Sequence, residues 1–590
     1  MNAFEKAKTY FQNGLADLEA KQFASAEIHF EKSLDWIPDR ISTLNNLAAV
    51  KIKLKKYNQA HVLTQKVLEQ DPQHYQAWLN KSVIEEDHED FVNALLSIEK
   101  VLLINPEFTE AWINKGNILS SMQRLNEAVE CYEKARLINP QYAYLQGVIV
   151  HAKMKICDWD NLEISIADIE QGIKNNEKKS SVFPILSMSA NMTIQQQCAK
   201  IWIDDYFPYV QTNLKINHAS SKIRVAYFSS DFRNHAVSLL TAEMFELHDK
   251  SKFEIYGFSF GRKKKDAMTN RLENAFDYLI DCQDQADIEI VELSRRLNIT
   301  IAVDLTGNTQ ESRTGIFTNR AAPIQINYIG FPGTMGASYI DYIIADHQLI
   351  PIQYACFYSE KIIYLPCFQA NDRTKKISNQ VFTRNELCLP TNQFIFCCFN
   401  NAYKITPRIF ESWMRILKAV DGSVLWLCVE NQIAKDNLLN CAQKNGIEKN
   451  RIIFANQLPL AEYLARYKAA DLFLDTLPFN GGTTASDALW ADLPVLTCQG
   501  ESYASRMAGS LLHAVGLSEL VVNQLSEYER IAIELARSPT KCLEIKNKLI
   551  SNKKHFPLFD TPLFVRSLEK AYLTINERLQ KALPIENIEI

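Results

Sequence analysis

Two glycines and two threonines stand where a short apolar run gives way to a helical pattern. The segment reads Asp471-Leu-Phe-Leu-Asp475-Thr-Leu-Pro-Phe479-Asn480-Gly481-Gly482-Thr483-Thr484-Ala-Ser-Asp487-Ala-Leu-Trp490. Gly481 and Gly482 allow close backbone approach. Thr483 and Thr484 open the helix, where the first N–H groups have no partner inside it. Such an end suits a phosphate, through hydrogen bonds and the helix dipole. Asp487 falls one turn in, on a face that could accept from ribose hydroxyls. An ordinary glycine turn with threonine caps would read the same way.

A second segment, Cys398-Phe-Asn400-Asn401-Ala-Tyr403-Lys404-Ile-Thr406-Pro407, also follows an apolar run, and Pro407 suits a helix start. A lysine in that loop, Lys404, can neutralise a diphosphate leaving group without a metal; the alternative is a surface lysine. A third, Ser229-Ser230-Asp231-Phe-Arg233-Asn234-His235-Ala236, puts a histidine in a loop after Arg224–Phe228. His235 could act as a base or orient a sugar near neutral pH, or be purely structural. A fourth, Gly330-Phe-Pro332-Gly333-Thr334, is a tight turn that could wall a sugar pocket.

The elements that must position these residues are legible in the apolar runs. From Ile223 onward, short β-rich runs alternate with helical stretches: Ile223–Phe228, Phe253–Phe260, Ile299–Leu305, Ile324–Ile329, Phe394–Phe399, Val424–Val429, Arg451–Phe454, Leu472–Leu474 and Val495–Leu496. This alternation predicts parallel sheets with helices on both faces. The stretch is too long for one doubly wound sheet, so two are expected, over residues 222–380 and 381–590. A polar stretch from Asn371 to Asn385 reads as a hinge between them. The crevice belongs at the carboxyl ends of the strands.

The N-terminal quarter repeats itself. Pro38, Pro72, Pro106 and Pro140 are 34 residues apart. Ala26, Ala60, Ala94 and Ala128 keep the step, as do the bulky Phe23, Tyr57, Phe91 and Leu125 and the small Gly14, Ala48, Ser82 and Gly116. That period marks tetratricopeptide repeats, each a helix pair. Four fit within residues 1–142, stacked as a short α-solenoid. Asn46, Asn80 and Asn114 share the register, with Gln12 in the first repeat. Amides so spaced could line the concave face and bind a peptide backbone, or could bridge neighbouring repeats. Residues 143–221 show no further match and read as a helical linker. Its Asp158-Trp-Asp160 string could suggest a metal site, but it sits among helical sequence and no metal is assigned to it.

Composition bounds the function. The chain has 590 residues and a formal net charge of −5, which gives no global sign of nucleic-acid binding. The basic run Arg262–Lys265 reads as a solvated loop. Thirteen cysteines occur without a C-x-x-C pair or zinc spacing, consistent with reduced thiols and a cytoplasmic setting. The sequence shows no signal-peptide pattern and no apolar run long enough for a membrane. No G-x-G-x-x-G, Walker loop, H-E-x-x-H or G-x-S-x-G is present.

Together the repeats and the strings V-A-Y-F-S-S-D-F-R-N-H, A-P-I-Q-I-N-Y-I-G-F-P-G-T, Y-S-E-K-I-I-Y-L-P, F-N-N-A-Y-K-I, N-G-G-T-T-A-S-D-A-L-W and G-E-S-Y-A-S-R-M-A resemble the O-GlcNAc transferase/SPINDLY family, over nearly the whole chain and in the family's order. The resemblance implies a GT-B architecture of two Rossmann-like domains with the nucleotide sugar between them. It implies inverting transfer of GlcNAc from UDP-GlcNAc to Ser or Thr of an acceptor protein, with no cofactor and no essential metal. Lys404, Thr483 and Thr484 would bind the diphosphate and Asp487 the ribose. Asn401, Leu458, Tyr463 and Gly482 would complete the nucleotide-sugar site. Gly330, Pro332 and Phe479 would wall the sugar. His235 would lie near sugar and acceptor, with the general base unassigned, and Asn46, Asn80 and Asn114 would hold acceptor backbone.

Four positions depart from the family. Gly482 and Tyr463 each stand where a histidine is usual, and Asn401 where a glutamine is common. Phe479 replaces a smaller residue. All four belong to the donor site, so GDP-fucose or UDP-glucose is the alternative donor, and a catalytically weak repeat scaffold the alternative role.

Overall fold

A computed structural model describes residues 2–212, 221–261 and 266–590. The basic run Arg262–Lys265 therefore lies outside the described residues. The chain forms two compact units, one of Met1–Leu145 with Cys282–Ile290, the other of Gln146–Asp281 with Val291–Ile590.

The first unit holds eight described helices in pairs: α1 (Ala3–Glu19), α2 (Phe23–Trp36), α3 (Ile41–Lys53), α4 (Tyr57–Gln70), α5 (Tyr75–Asp87), α6 (Phe91–Ile104), α7 (Thr109–Ser121) and α8 (Leu125–Ile138). The 34-residue step has a physical cause at every register. Each repeat proline follows the cap residue that ends the second helix, where it cannot continue the hydrogen-bond ladder. Small residues let the paired helices touch. A Cβ on Gly14 would lie 2.7 Å from the Phe30 ring, and one on Gly116 would lie 2.4 Å from Tyr132. The indole N–H of Trp78 donates to Pro72 O at 2.9 Å, and that of Trp112 to Pro106 O at 2.8 Å, so one repeat is pinned at its turn as the next is.

The second unit begins with α9 (Leu145–Lys155), α10 (Leu162–Lys174), α11 (Val182–Met188) and α12 (Met192–Tyr206), which share a core of Met154, Ile169, Ile185 and Cys198. Asp158 and Asp160 lie in the turn between α9 and α10, where Asp160 N–H donates to Asp158 Oδ1. Among the described residues no group of three or more His, Cys, Asp or Glu side chains could hold a metal ion.

Among the described residues fourteen strands follow: β1 (Ile223–Ser229), β2 (Phe253–Ser259), β3 (Tyr278–Asp281), β4 (Ile301–Asp304), β5 (Ile324–Asn327), β6 (Tyr342–Ala345), β7 (Lys361–Tyr364), β8 (Ile395–Cys398), β9 (Val424–Leu427), β10 (Ile452–Phe454), β11 (Leu472–Leu474), β12 (Val495–Cys498), β13 (Val521–Val522) and β14 (Ile588–Glu589). They form two sheets, ordered β14-β7-β6-β5-β4-β1-β2-β3 and β10-β9-β8-β11-β12-β13, with every neighbouring pair parallel. The central strands β4, β5, β8 and β9 are buried at every residue, as strands covered on both faces are. Each sheet reverses its winding once, between β1 and β4 in the first and between β8 and β11 in the second. Those are the topological switch points at which such sheets bind ligands. The repeats followed by two Rossmann-like sheets constitute the α-solenoid plus GT-B architecture.

Two features differ from the sequence expectation. The chain does not end in the second sheet's domain. The helix Thr561–Gln580 buries Phe564, Leu568, Ala571 and Tyr572 in the first sheet's core, and β14 pairs with β7. The stretch read as a polar hinge starts as a buried strap, since Asn371, Asp372 and Lys375 are all buried. Asn371 accepts from Ser486 and donates to Leu558 O at 3.0 Å. The three buried polar residues satisfy partners, while Arg373, Thr374 and Lys376 between and beside them meet water. Among the described residues no helix is long and apolar enough to cross a membrane.

Candidate active site

The second sheet's switch point gathers the loop after β8 and the loop after β11. Asp475, just beyond β11, is the buried centre. Its Oδ1 accepts from Gly481 N–H at 2.8 Å and from Asn400 Nδ2 at 2.9 Å, and its Oδ2 accepts from Thr497 Oγ1 at 2.7 Å. Burial pushes its carboxyl up to about 6. Asn400 also donates to Thr476 Oγ1 at 2.8 Å and accepts from Thr484 Oγ1. Asn480 Nδ2 closes the turn on Thr476 O at 2.7 Å. The two loops are thus one hydrogen-bonded block, with little freedom left to the backbone at Gly481–Thr484.

Lys404 ends a single helical turn, Ala402–Lys404, before Thr406 caps the helix Pro407–Ala419. Its ammonium donates to Asn480 O at 2.9 Å and lies 3.7 Å from the centroid of the Phe479 ring. Burial lowers the Lys404 pKa to about 8, against the pull of Asp475. Phe479 is itself walled by Tyr403 and, from α11, by Phe183, each about 6.2 Å between ring centroids. His151 of α9 packs on Tyr403 at 5.0 Å.

The helix Thr483–Trp490 starts at Gly482, which supplies no side-chain cap. The N–H groups of its first turn therefore carry the unshared donors that a phosphate needs. A Cβ on Gly482 would lie 2.3 Å from Met507 Cε, so Met507 fills the space a larger residue would take. Asp487 is buried and pairs with Lys375, whose Nζ lies 2.7 Å from its Oδ1. Burial holds the Asp487 carboxyl up, and Lys375 pulls it down.

Tyr463, on the helix Leu460–Arg466, hydrogen-bonds Tyr467 through their hydroxyls at 2.5 Å, and the Arg466 guanidinium stacks 4.8 Å from its ring. Leu458 is half-buried in the loop before that helix, and Asn401 is exposed before the Lys404 turn. The Tyr463–Tyr467 pair reaches the phosphate end through the Tyr467 hydroxyl, 3.5 Å from Thr484 O.

The first sheet's switch point carries the remaining candidates. His235 caps the helix Ala236–Glu246, its Nδ1 lying 3.4 Å from Val237 N and 3.5 Å from Asp231 Oδ1, with 44% of its side chain exposed. A Cβ on Gly330 would lie 1.9 Å from Leu305 O, so only glycine lets the loop after β5 press on the loop after β4. Pro332 is buried beside it. Glu360 holds that loop by accepting from Thr334 Oγ1 at 2.7 Å and Met335 N–H at 2.6 Å. Asn308, one residue past Gly307, is buried with neither amide atom bonded. No hydrogen bond or ion pair among the described residues joins His235 to the Lys404 block.

In the solenoid, Asn80 Nδ2 donates to Asn45 Oδ1 at 3.1 Å, bridging two repeats. Asn46 and Asn114 are half-buried. Sequence reasoning missed Asn400, Asp475 and Lys375 as site residues. The first two lie inside quoted motifs, where their types suggest polar contacts. Lys375 carries no local signal that sets it apart from Lys376.

Lys404 yields a pH prediction. An ammonium with its pKa lowered to about 8 is charged below that value and loses its proton above it. Affinity for a diphosphate probe should fall with rising pH above about 8, and Lys404→Arg should remove that limb. An unchanged limb in the arginine variant would assign it to another group.

The family model described as Glycosyl transferase family 41 matches residues 156–378 and 368–568, and a tetratricopeptide model matches 109–142. An Arabidopsis thaliana protein named a probable UDP-N-acetylglucosamine–peptide N-acetylglucosaminyltransferase SEC is 32% identical over 448 residues, covering 72% of this chain and 46% of the relative. A Caenorhabditis elegans protein named UDP-N-acetylglucosamine–peptide N-acetylglucosaminyltransferase is 24% identical over 562 residues, covering 73% and 49%. This chain spans less than half the length of either relative. A lysine-to-methionine variant of an O-GlcNAc transferase from Thermobaculum terrenum shares the fold, with a TM-score of 0.69 at 24% identity over 92% of this chain and 98% of that one.

Proposed function

We propose that this chain, which belongs to glycosyl transferase family 41, is a metal-independent inverting transferase that moves GlcNAc from UDP-GlcNAc to a Ser or Thr hydroxyl of an acceptor protein. The observation that carries the reading is the block at the second switch point. A buried ammonium and an uncapped helix start are joined there through Asn400, Asp475 and Asn480, and the same helix carries the buried Asp487 carboxylate one turn in. Those three groups answer the three parts of a nucleotide sugar: the diphosphate, its outer phosphoryl oxygens and the ribose diol.

In this reading the acceptor oxygen attacks the anomeric carbon from the face opposite UDP. The bond from that carbon to the β-phosphate oxygen breaks, and its electron pair leaves with UDP. Lys404 and the N–H groups of Thr483 and Thr484 offset the charge that develops on the leaving oxygen. The acceptor proton passes to a base, and His235, partly exposed at the first sheet's switch point, would orient the acceptor or receive the proton. Tyr463, with Leu458 and Asn401, bounds the nucleotide. Gly330, Pro332 and Phe479 bound the sugar. Asn46, Asn80 and Asn114 supply amides for acceptor backbone. Thirteen free thiols suit a reducing, cytoplasmic compartment.

Phe479 favours a second reading of the donor. A buried phenyl ring 3.7 Å from the Lys404 ammonium narrows the space beside the phosphate end, which suits a sugar lacking the acetamido group, as in UDP-glucose or GDP-fucose. Intact mass spectrometry of an acceptor pool incubated with each donor separates them. The expected result is a gain of one N-acetylhexosamine with UDP-GlcNAc, absent with Lys404→Ala. A hexose or deoxyhexose gain instead selects the second reading, and no gain with any donor overturns the transferase.

A further inference from the structure

Lys375 belongs to the strap that leaves the first sheet and enters the second. Its placement relative to the helix Thr483–Trp490 is specified twice. Its ammonium meets Asp487 Oδ1 at 2.7 Å, and its carbonyl accepts from the Trp490 indole N–H at 3.2 Å. Both charged side chains are nearly enclosed, 3% exposed for Lys375 and 6% for Asp487. An isolated carboxylate at that depth would be costly, and one that loses its partner costs more. The pair occupies only one carboxylate oxygen. Oδ2 of Asp487 accepts no hydrogen bond from any described residue, and the lysine uses one of its three N–H donors on Asp487. What is left over, an acceptor and cationic donors side by side, matches a vicinal diol, which offers both a donor and an acceptor.

We propose that Lys375 is a positioning residue of the nucleotide-sugar site, reaching it from the strap between the sheets and fixing Asp487 so that its free oxygen meets the ribose hydroxyls of a nucleoside diphosphate. The inference rests on the proposed donor site. It makes ribose recognition depend on the strap, and hence on both sheets together. A merely structural ion pair would support the fold but leave the choice between ribose and dideoxyribose unmoved.

The test uses the full chain, with UDP and 2′,3′-dideoxy-UDP as probes in titration calorimetry. Wild-type protein should bind UDP ten- to a hundredfold tighter than the dideoxy form, the scale of a hydrogen bond to a charged group. Lys375→Met should bind both at the dideoxy level, and Lys375→Arg should restore the preference. A preference that survives in Lys375→Met overturns the proposal, as does wild-type protein that binds both probes equally. Wild-type protein that binds neither would instead sink the donor site itself.

Lys375→Gln serves if the methionine variant does not fold. Its amide can still donate to Oδ1 but brings no charge. The groups facing Asp487 are then Tyr463 and Tyr467, and only the neutral amide's hydrogen bond, without the ammonium's charge, opposes the protonation that burial favours. Its preference for UDP should therefore be lost on acidification at a higher pH than in wild type. A pH profile identical to wild type overturns the proposal.

Discussion

Lys404→Ala is expected to lower kcat by about a hundred- to a thousandfold, the range seen when one preorganised group facing developing charge is removed. In the proposed transfer the leaving group is a diphosphate, and its charge rises as the sugar departs. Lys404 is buried against Asn480 O and Phe479, so it is already desolvated and oriented before the donor arrives. Such a group is worth more in the transition state than in water, where solvent would have to reorganise. Donor binding should suffer less than kcat, because the helix start at Thr483 still holds the ground-state phosphate. Single-turnover rates at saturating donor measure this directly. A variant retaining more than about a tenth of the wild-type rate would remove Lys404 from the chemistry.

Asp475→Ala is expected to destabilise the second sheet's domain by about 3–5 kcal/mol, since it strands two or three buried donors at about 1–3 kcal/mol each. Gly481 N–H, Thr497 Oγ1 and Asn400 Nδ2 all lose the same acceptor. Gly481 through Thr484 then lose their anchor, and UDP binding should go with it. Asp475→Asn separates the causes. The amide oxygen can keep Gly481 and Asn400, and the Thr497 hydroxyl can turn to accept from the amide nitrogen. That variant should stay within about 1 kcal/mol of wild type and retain UDP binding. Denaturant melts with and without UDP check both. An alanine variant as stable as wild type would show that the loops hold their shape without Asp475.

The parts of the molecule written in local sequence were legible. The repeats are fixed by residues that act within one helix pair: Pro38 and its successors end helices, and Gly14 and Gly116 admit a facing ring. The central strands are apolar runs such as Ile395–Cys398, buried on both faces. Among the edge strands β10 is legible as Arg451–Phe454, while the half-exposed β3 and the two-residue β13 and β14 escaped notice, as did the interior β6 and β7. By sequence the C-terminal helix falls with the second sheet's domain, yet Phe564, Leu568 and Tyr572 pack in the first sheet's core, and nothing local in the helix names its sheet.

The sequence by itself determined which residues could carry the proposed chemistry. Lys404, the Thr483–Thr484 helix start, Asp487 and His235 announce themselves by residue type next to a strand end, and a strand end followed by a helix is a local pattern. Only the tertiary structure decided how they work together. Asn400 and Asp475 are 75 residues apart, and Lys375 and Asp487 are 112 apart. Their meeting follows from strand order, which puts β8 beside β11, and from a strap buried between two sheets. Strand order is set by the summed burial of whole faces, and no single stretch of residues records it.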